Sequence, residues 1–292
     1  MLLEDKNAVI YGGGGTIGGA VARTFAREGA RVFLAGRTLT KLDDVAEEIR
    51  SVGGVAETAQ VDALDGRAVD EHADAVAASA GGIDVSFNLI SHDYVQGTPM
   101  VEMYLEDYAR PVVTAVRTTF LTSRVAARHM IRKGSGVILA FGGSGDPKRD
   151  YYIGGTQVAF EAIESMRRQL ASELGAHGVR VVTLRTGGVP ASILQSVDGR
   201  EAIVEGIEKA TMLRRAATLE DVGNAAAFAA SDRARTMTAA TINIAVARWS
   251  IKDNFGNQEP LDAKPRRPSR LRRRRPYRHP WAAGRRVRGD HD

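Results

Sequence analysis

Seven short runs rich in β-branched and other apolar residues, at Ala8 to Tyr11, Arg31 to Ala35, Val55 to Val61, Val85 to Ile90, Val137 to Phe141, Val179 to Arg185 and Thr241 to Ala245, recur along the chain with a helical pattern between successive runs. Strands separated by helices pair in parallel through crossovers, so the alternation predicts an α/β fold built on one parallel, doubly wound, seven-stranded sheet. Helix ends are marked as well. Thr218 stands before LEDVGNAAAFAAS with Asp221 three residues on, which is capping-box spacing, and Gly53 with Gly54 ends the helix that begins near Thr40. No internal repeat is visible.

The first run leads into YGGGGTIGGAVARTFAREGA. Glycines at a strand-to-helix turn let a pyrophosphate meet backbone N–H groups and the positive end of the helix, the arrangement of a Rossmann fold. Gly12 is placed for the tight turn, Gly18 for close packing of the helix and Thr16 for a hydroxyl near the phosphates, while Ile17, Val21 and Phe25 form the helix's apolar stripe. A glycine-rich turn also serves as a plain connector, but the strand before and the amphipathic helix after favour a nucleotide. The end of the second strand selects which one. An NAD site carries Asp or Glu there to hold the ribose 2′-hydroxyl, and this chain has Gly36, Arg37 and Thr38, which favours the 2′-phosphate of NADP(H) over an ordinary solvated arginine. Asp62, after the third strand, is placed either to accept from the adenine amino group or to form a turn.

Composition narrows the class. The 43% of hydrophobic residues in 292 suffices for a sizeable core, and no run of 18 apolar residues offers a membrane span. With no cysteine, disulfides and thiol catalysis are excluded, and the six histidines lack zinc-site spacing, so no metal is expected. Glu4 and Asp5 stand where a signal peptide carries positive charge, and a cytoplasmic protein is expected. The chain has 40 Lys and Arg against 35 Asp and Glu, of which 12 and 2 lie in residues 264–292, leaving 28 against 33 before them. The basic character therefore belongs to the tail, whose RRPSRLRRRRPYRHP stretch is too polar and Pro-rich to bury a core. The expected organisation is a dinucleotide-binding domain over 1–250, with a substrate loop near 190–212, and a basic, disordered Arg/Pro-rich tail over 251–292. That tail reads as a solvated extension, as the product of a reading-frame change or, less favoured, as a phosphate- or membrane-binding arm. No nucleic-acid partner is expected for the folded body.

Over residues 4 to 250 the chain resembles the short-chain dehydrogenase/reductases. The stretches that carry the resemblance are YGGGGTIGGAVA for the family's TGxxxGxG turn, FLAGRTLTKLDDVAEEI for strand two and its helix, VDALD for the adenine-side acid, and RRQLASELGAHGVRVVTLRTGGVPASI for the long helix, strand six and following loop. The resemblance implies Gly12, Thr16, Ile17, Gly18, Arg37, Thr38, Asp62, Asn88, Gly187 and Val189 as cofactor contacts, with the backbone near Val189 meeting the nicotinamide amide. It also implies a small-molecule substrate and a homo-oligomer, dimer or tetramer, paired through the long helices Tyr104 to Arg132 and Gly154 to His177, where Val158, Ile163, Met166 and Leu170 face either the sheet or a partner.

The departures from the family fall on its chemistry. Thr16 replaces the middle glycine of the turn, and NNAG reads Asn88, Leu89, Ile90, Ser91. Aligned on RRQLASELGAHGVRV, the YxxxK positions hold Thr156 and Phe160, the usual serine is Gly143 with Ser144 adjacent, and the usual asparagine is Ala115. In the family the tyrosine protonates the carbonyl oxygen as hydride arrives, and the lysine lowers its pKa and holds the nicotinamide ribose. Such positioned acid catalysis is worth about 10² to 10⁴ in rate. Candidate replacements are Tyr152 and His92 as acids, Ser144, and Thr156 to orient a substrate. Tyr152 belongs to a segment with Asp146, Lys148, Arg149, Asp150 and Tyr151, and His92 to a group with Ser91, Asp93 and Tyr94, His92 being expected to titrate near neutral pH. Arg185 is expected to point into the crevice, toward an acidic substrate group or a phosphate. Three function classes stay open: an NADP(H)-dependent oxidoreductase on a carbonyl, alcohol or activated double bond with a non-standard proton donor; a non-redox lyase, isomerase or cyclase; and an NADP-binding protein without turnover.

Overall fold

The computed structural model describes residues 1–245 apart from 94, 96, 144–152, 194, 196–199 and 210. Its strands are β1 (Asn7–Tyr11), β2 (Arg31–Gly36), β3 (Val55–Gln60), β4 (Val85–Asn88), β5 (Gly136–Gly143), β6 (Val179–Thr186) and β7 (Ala240–Asn243). The helices are α1 (Thr16–Arg27), α2 (Leu39–Ser51), α3 (Gly66–Ala80), α4 (Leu105–Lys133), α5 (Thr156–Leu174), α6 (Arg200–Lys209) and α7 (Leu219–Ala230). All seven strands are parallel, in the order β3-β2-β1-β4-β5-β6-β7. The chain thus winds outward in one direction from β1 and in the other from β4. In an open α/β sheet that reversal opens a crevice beyond the carboxyl ends of the strands.

Alternation of side chains along the strands builds a core on each face. Ile10, Val32, Leu34, Val182 and Leu184 meet Val21 and Phe25 of α1, Leu42 and Val45 of α2, and Val222 and Ala226 of α7. Val9, Phe33, Ile138 and Val181 meet Val69 of α3, Val125 and Met130 of α4, and Ala171 and Leu174 of α5 on the opposite face. Phe25 and Val21 are fully buried, each worth about 1.5–3 kcal/mol of transfer free energy.

The predicted helix signals are realised. At α7, Thr218 accepts from Asp221 N at 3.0 Å and the Asp221 carboxylate accepts from Thr218 N at 2.9 Å, so both halves of the capping box are formed. After α2 the chain turns at Gly53 with φ +85. The strand predicted to run to Ile90 stops at Asn88, because the next three residues leave the sheet to cross the crevice. Of the apolar positions on α5, Ile163 is buried against the sheet and Val158 faces outward. Among the described residues, no helix is long and apolar enough to cross a membrane, and no group of His, Asp and Glu is arranged to hold a metal.

Candidate dinucleotide crevice and catalytic pocket

At the end of β1, Gly12 takes φ +81, and its N–H donates to the Ala35 carbonyl at 2.8 Å, tying the turn to β2. A Cβ on Gly12 would stand 2.8 Å from the Leu89 carbonyl carbon, and one on Gly18 would stand 2.9 Å from the Gly12 carbonyl carbon. Neither position accommodates a side chain. The segment after β4 therefore lies directly on the turn, and α1 starts directly behind it. No side chain caps α1 at Gly15, so the first N–H groups of the helix, those of Thr16, Ile17 and Gly18, have no intrahelical acceptor and face the crevice with the positive end of the helix dipole.

On one side of this turn is a cavity of about 310 Å³ lined by Gly14, Arg37, Thr38, Lys41 and Asp62, among others. Thr38 is the N-cap residue of α2, and Gln60 holds the strand end by donating from Nε2 to the Arg37 carbonyl at 3.0 Å. Asp62 forms the turn, its Oδ1 accepting from Leu64 N at 3.0 Å, and the residue also lines the cavity. Lys41 was not singled out in the sequence. It lies three residues after Thr38 on the first turn of α2, a spacing that brings it back over the glycine turn, where a Cβ on Gly14 would stand 2.9 Å from Lys41 Cβ.

On the other side is a cavity of about 400 Å³, and Gly15, Leu89, Ile90 and Ser91 line both. The glycine turn is thus the midpoint of one crevice with a compartment at each end. The second compartment is bounded by Thr16, Ile17 and Gly18, by Asn88, by Gly187 and Val189 after β6, and by His92, Thr156 and Phe160. Asn88 is buried, with Nδ2 donating to Thr118 Oγ1 at 3.1 Å and Oδ1 accepting from Ile90 N at 3.0 Å. Its amide fixes the crossing segment as well as lining the cavity.

The start of α5 packs closely against the end of β5 and against α4. Gly155 lets α5 start against α4, since a Cβ there would stand 2.9 Å from the Tyr108 carbonyl carbon and 3.3 Å from Pro111 Cγ. This sets Thr156 in the cavity wall, 3% exposed, with its Oγ1 buried and without a partner among the described residues. One turn on, the half-buried Phe160 ring covers Gly143: a Cβ on Gly143 would stand 2.7 Å from Phe160 Cζ, 3.1 Å from Cδ2 and closer still to Cε2. The ring occupies the space that a side chain at 143 needs, so as placed Phe160 and a serine at 143 exclude each other. Ala115 is fully buried, packed with Ala140, Ala159 and Ile163.

His92 reaches this wall with its ring centroid 6.2 Å from that of Phe160, the planes inclined by 59°. Burial pushes its pKa down to about 4, against a weaker opposing effect of Asp93. This differs from the expected titration near neutral pH, because burial disfavours the charged imidazolium. Arg185 is not in the cavity lining, and its Nε is buried without a partner among the described residues. Ser192 does line the cavity, its Oγ donating to the Val189 carbonyl at 2.7 Å. Ser144 and Tyr152 lie outside the described residues.

The crevice fits a dinucleotide at both ends and at the middle. Glycines that no Cβ can replace leave backbone N–H groups bare for a pyrophosphate, cations flank one compartment, and the other is an apolar chamber entered past the start of α1.

The chain matches, over residues 14–245, the family model described as Enoyl-(Acyl carrier protein) reductase. It is 28% identical over 242 residues to the uncharacterized oxidoreductase YxbG of Bacillus subtilis, covering 81% of this chain and 88% of that protein. It is 28% identical over 232 residues to the 7alpha-hydroxysteroid dehydrogenase of Escherichia coli K12, covering 80% and 89%. Among solved structures, a short-chain type dehydrogenase/reductase from Mycobacterium ulcerans superposes with a TM-score of 0.77 at 27% identity, covering 84% of this chain and 90% of that one. With the doubly wound sheet, the glycine turn and the crevice at its switch point, these matches establish that the chain belongs to the short-chain dehydrogenase/reductase family, whose members use nicotinamide cofactors.

Proposed function

We propose that the protein is an NADP(H)-dependent oxidoreductase acting on a carbonyl, alcohol or activated double bond without a lysine-activated phenol at position 156. The observation that carries the cofactor preference is the pair of cations Arg37 and Lys41 in the adenosine-side cavity, at a strand end that lacks the carboxylate of an NAD site. A guanidinium and an ammonium beside the ribose pair with a 2′-phosphate, whereas a carboxylate there would repel it. Gly12 to Gly18 and the start of α1 hold the pyrophosphate, Asp62 accepts from the adenine amino group with its remaining oxygen, and the Gly187–Val189 backbone holds the nicotinamide amide. When bound, the nicotinamide supplies a hydride at the apolar end of the crevice.

The chain's own residues then act by orientation and exclusion. Phe160, Ile17, Leu89 and Val189 keep water from the reacting carbon. Neutral His92 offers a ring N–H to a carbonyl oxygen, and Tyr152 and Ser144 remain proposed contributors from the segment after β5. A neutral imidazole is a weaker acid than an imidazolium, which favours acceptors that are already electrophilic. The relative's name, a hydroxysteroid dehydrogenase, supports an apolar alcohol or ketone as one candidate. A second reading, an NADP-binding protein without turnover, draws on the Phe160–Gly143 packing, in which the ring as placed excludes a serine at 143.

Titration of the full-length protein with NADPH and NADH, followed by nicotinamide fluorescence, tests the cofactor reading. Preference for NADPH by tenfold or more is expected, and equal affinity refutes it. Single-turnover oxidation of bound NADPH by a panel of enones and ketones separates an enzyme from a binding protein. We further propose a homo-oligomer formed through the outward faces of α4 and α5, where Val113, Phe120 and Val158 are exposed. Light scattering that gives a monomer mass at micromolar concentration refutes it. A cytoplasmic location, and a basic 251–292 segment separate from the 1–250 domain, complete the proposal.

A further inference from the structure

The two compartments of the crevice differ in charge. Arg37, Lys41, Asp62 and Asp93 line the adenosine side, whereas among the described residues lining the other compartment there is no Asp, Glu, Lys or Arg. Its one titratable group among them, His92, is held neutral by burial. A carboxylate or phosphate placed in this chamber would lose hydration and meet no cation among the described lining residues. The chamber also has a shaped wall. One edge of the Phe160 ring, Cδ2 to Cζ, lies against the bare backbone of Gly143, and the inclined His92 ring stands beside it. A half-buried aromatic ring backed by glycine gives a flat ligand a surface to lie on, and the imidazole beside it offers the hydrogen bond that fixes the ligand's polar end.

We infer that the substrate is an uncharged, flat, conjugated carbonyl compound, an aryl or polyenyl enal or enone, lying on the Phe160 ring with its carbonyl oxygen at the His92 imidazole. This rests on the reading of the crevice as a reductase site and names the substrate class for it. Phe160 is then a specificity-determining residue, and His92 a positioning residue that polarises the carbonyl.

The test uses 4-(dimethylamino)cinnamaldehyde, an uncharged flat aldehyde whose absorption band moves to longer wavelength when its carbonyl accepts a hydrogen bond. The full-length protein is equilibrated with NADP+, so that no hydride is available, and the dye is titrated by absorbance. Wild type is expected to bind it with a red shift, and 3-phenylpropanal, which is neither conjugated nor flat, is expected to compete at least tenfold more weakly. Phe160→Leu is expected to weaken the dye by about two- to tenfold, the effect of one aromatic contact. Phe160→Tyr keeps the affinity, and His92→Phe keeps binding within threefold while the red shift is lost.

Unchanged affinity in Phe160→Leu, a red shift that survives His92→Phe, or equal competition by 3-phenylpropanal overturns the inference. If Phe160→Leu does not fold by thermal melting, the Phe160→Tyr affinity and the competition with 3-phenylpropanal decide. NADPH binding, read separately by fluorescence, keeps the two readings apart. Saturable NADPH binding with no dye binding sinks the substrate class alone, and dye binding with a red shift but no NADPH binding sinks the reductase reading and leaves the chamber's ligand class standing.

Discussion

Replacing Gly143 by alanine tests the idea that Phe160 and a side chain at 143 exclude each other. Carbon atoms in contact sit about 3.5–4.0 Å apart, and the new Cβ would stand 2.7 Å from Phe160 Cζ and 3.1 Å from Cδ2. The ring must therefore retreat by on the order of 1 Å, with His92 beside it, and overpacking of this kind costs about 1–3 kcal/mol. Gly143 is not among the glycines with a left-handed backbone, so alanine brings no backbone strain. It lowers the entropy of the unfolded chain, which stabilises by about 0.4–1 kcal/mol. The single variant is expected to lose roughly 0–2.6 kcal/mol net, as the difference of these two effects. In a Phe160→Ala background the ring is gone and the same substitution becomes neutral or stabilising. Urea denaturation of the four proteins of the cycle measures a coupling of about 1–3 kcal/mol between the positions, well beyond the ~0.5 kcal/mol scatter of independent sites. Additive effects would refute the steric account. The same reasoning predicts that Gly143→Ser is tolerated only together with replacement of Phe160, for example by lysine.

Arg37→Asp is expected to weaken NADPH by about ten- to a hundredfold, the loss of a charge-assisted contact worth ~1.5–3 kcal/mol, while NADH binding changes little; equal weakening of both in fluorescence titration removes the 2′-phosphate role. Thr218→Ala deletes half of the capping box on α7 and is expected to cost about 1 kcal/mol, read as a melting temperature lower by roughly 2–4 °C; an unchanged melt would mean that tertiary packing alone holds the helix end. His92, held at about pH 4 when folded against ~6.5 when unfolded, leaves the unfolded chain binding the extra proton between those limits, so stability is full above pH 6.5 and falls as pH drops toward 4, by up to ~3 kcal/mol. His72 is shifted down by burial too and adds to the slope, so the measurement is the difference between wild type and His92→Asn in urea at pH 7.5 and 5; identical pH dependence would show that His92 is not buried as described.

The fold was legible because its signals are local. Strand runs, the glycine turn and the Thr218–Asp221 cap each lie within a few residues, and the seven strands appeared within two residues of their predicted ends, with β4, β5 and β7 each differing by two at the carboxyl end. β4 ended early because Leu89 and Ile90 cross over Gly12, a contact between segments nearly eighty positions apart in the chain. The tight turn was legible for the same local reason, in Gly12 and Gly18, and Arg37 lines the cavity beside it. Lys41 was missed because its relevance arises only when α2 folds back over the turn.

The sequence alone determined that the chain is a parallel, doubly wound α/β protein with a glycine-rich turn after its first strand. Periodicity and turn chemistry act over one helical turn or one strand, and are written in consecutive residues. Only the tertiary structure decided that Phe160 fills the space above Gly143, that Thr156 is buried without a partner among the described residues, and that burial pushes the His92 pKa down. Burial and steric exclusion depend on which distant segments converge, and those contacts exist only after the sheet has brought β4, β5, β6 and α5 to one end of the crevice.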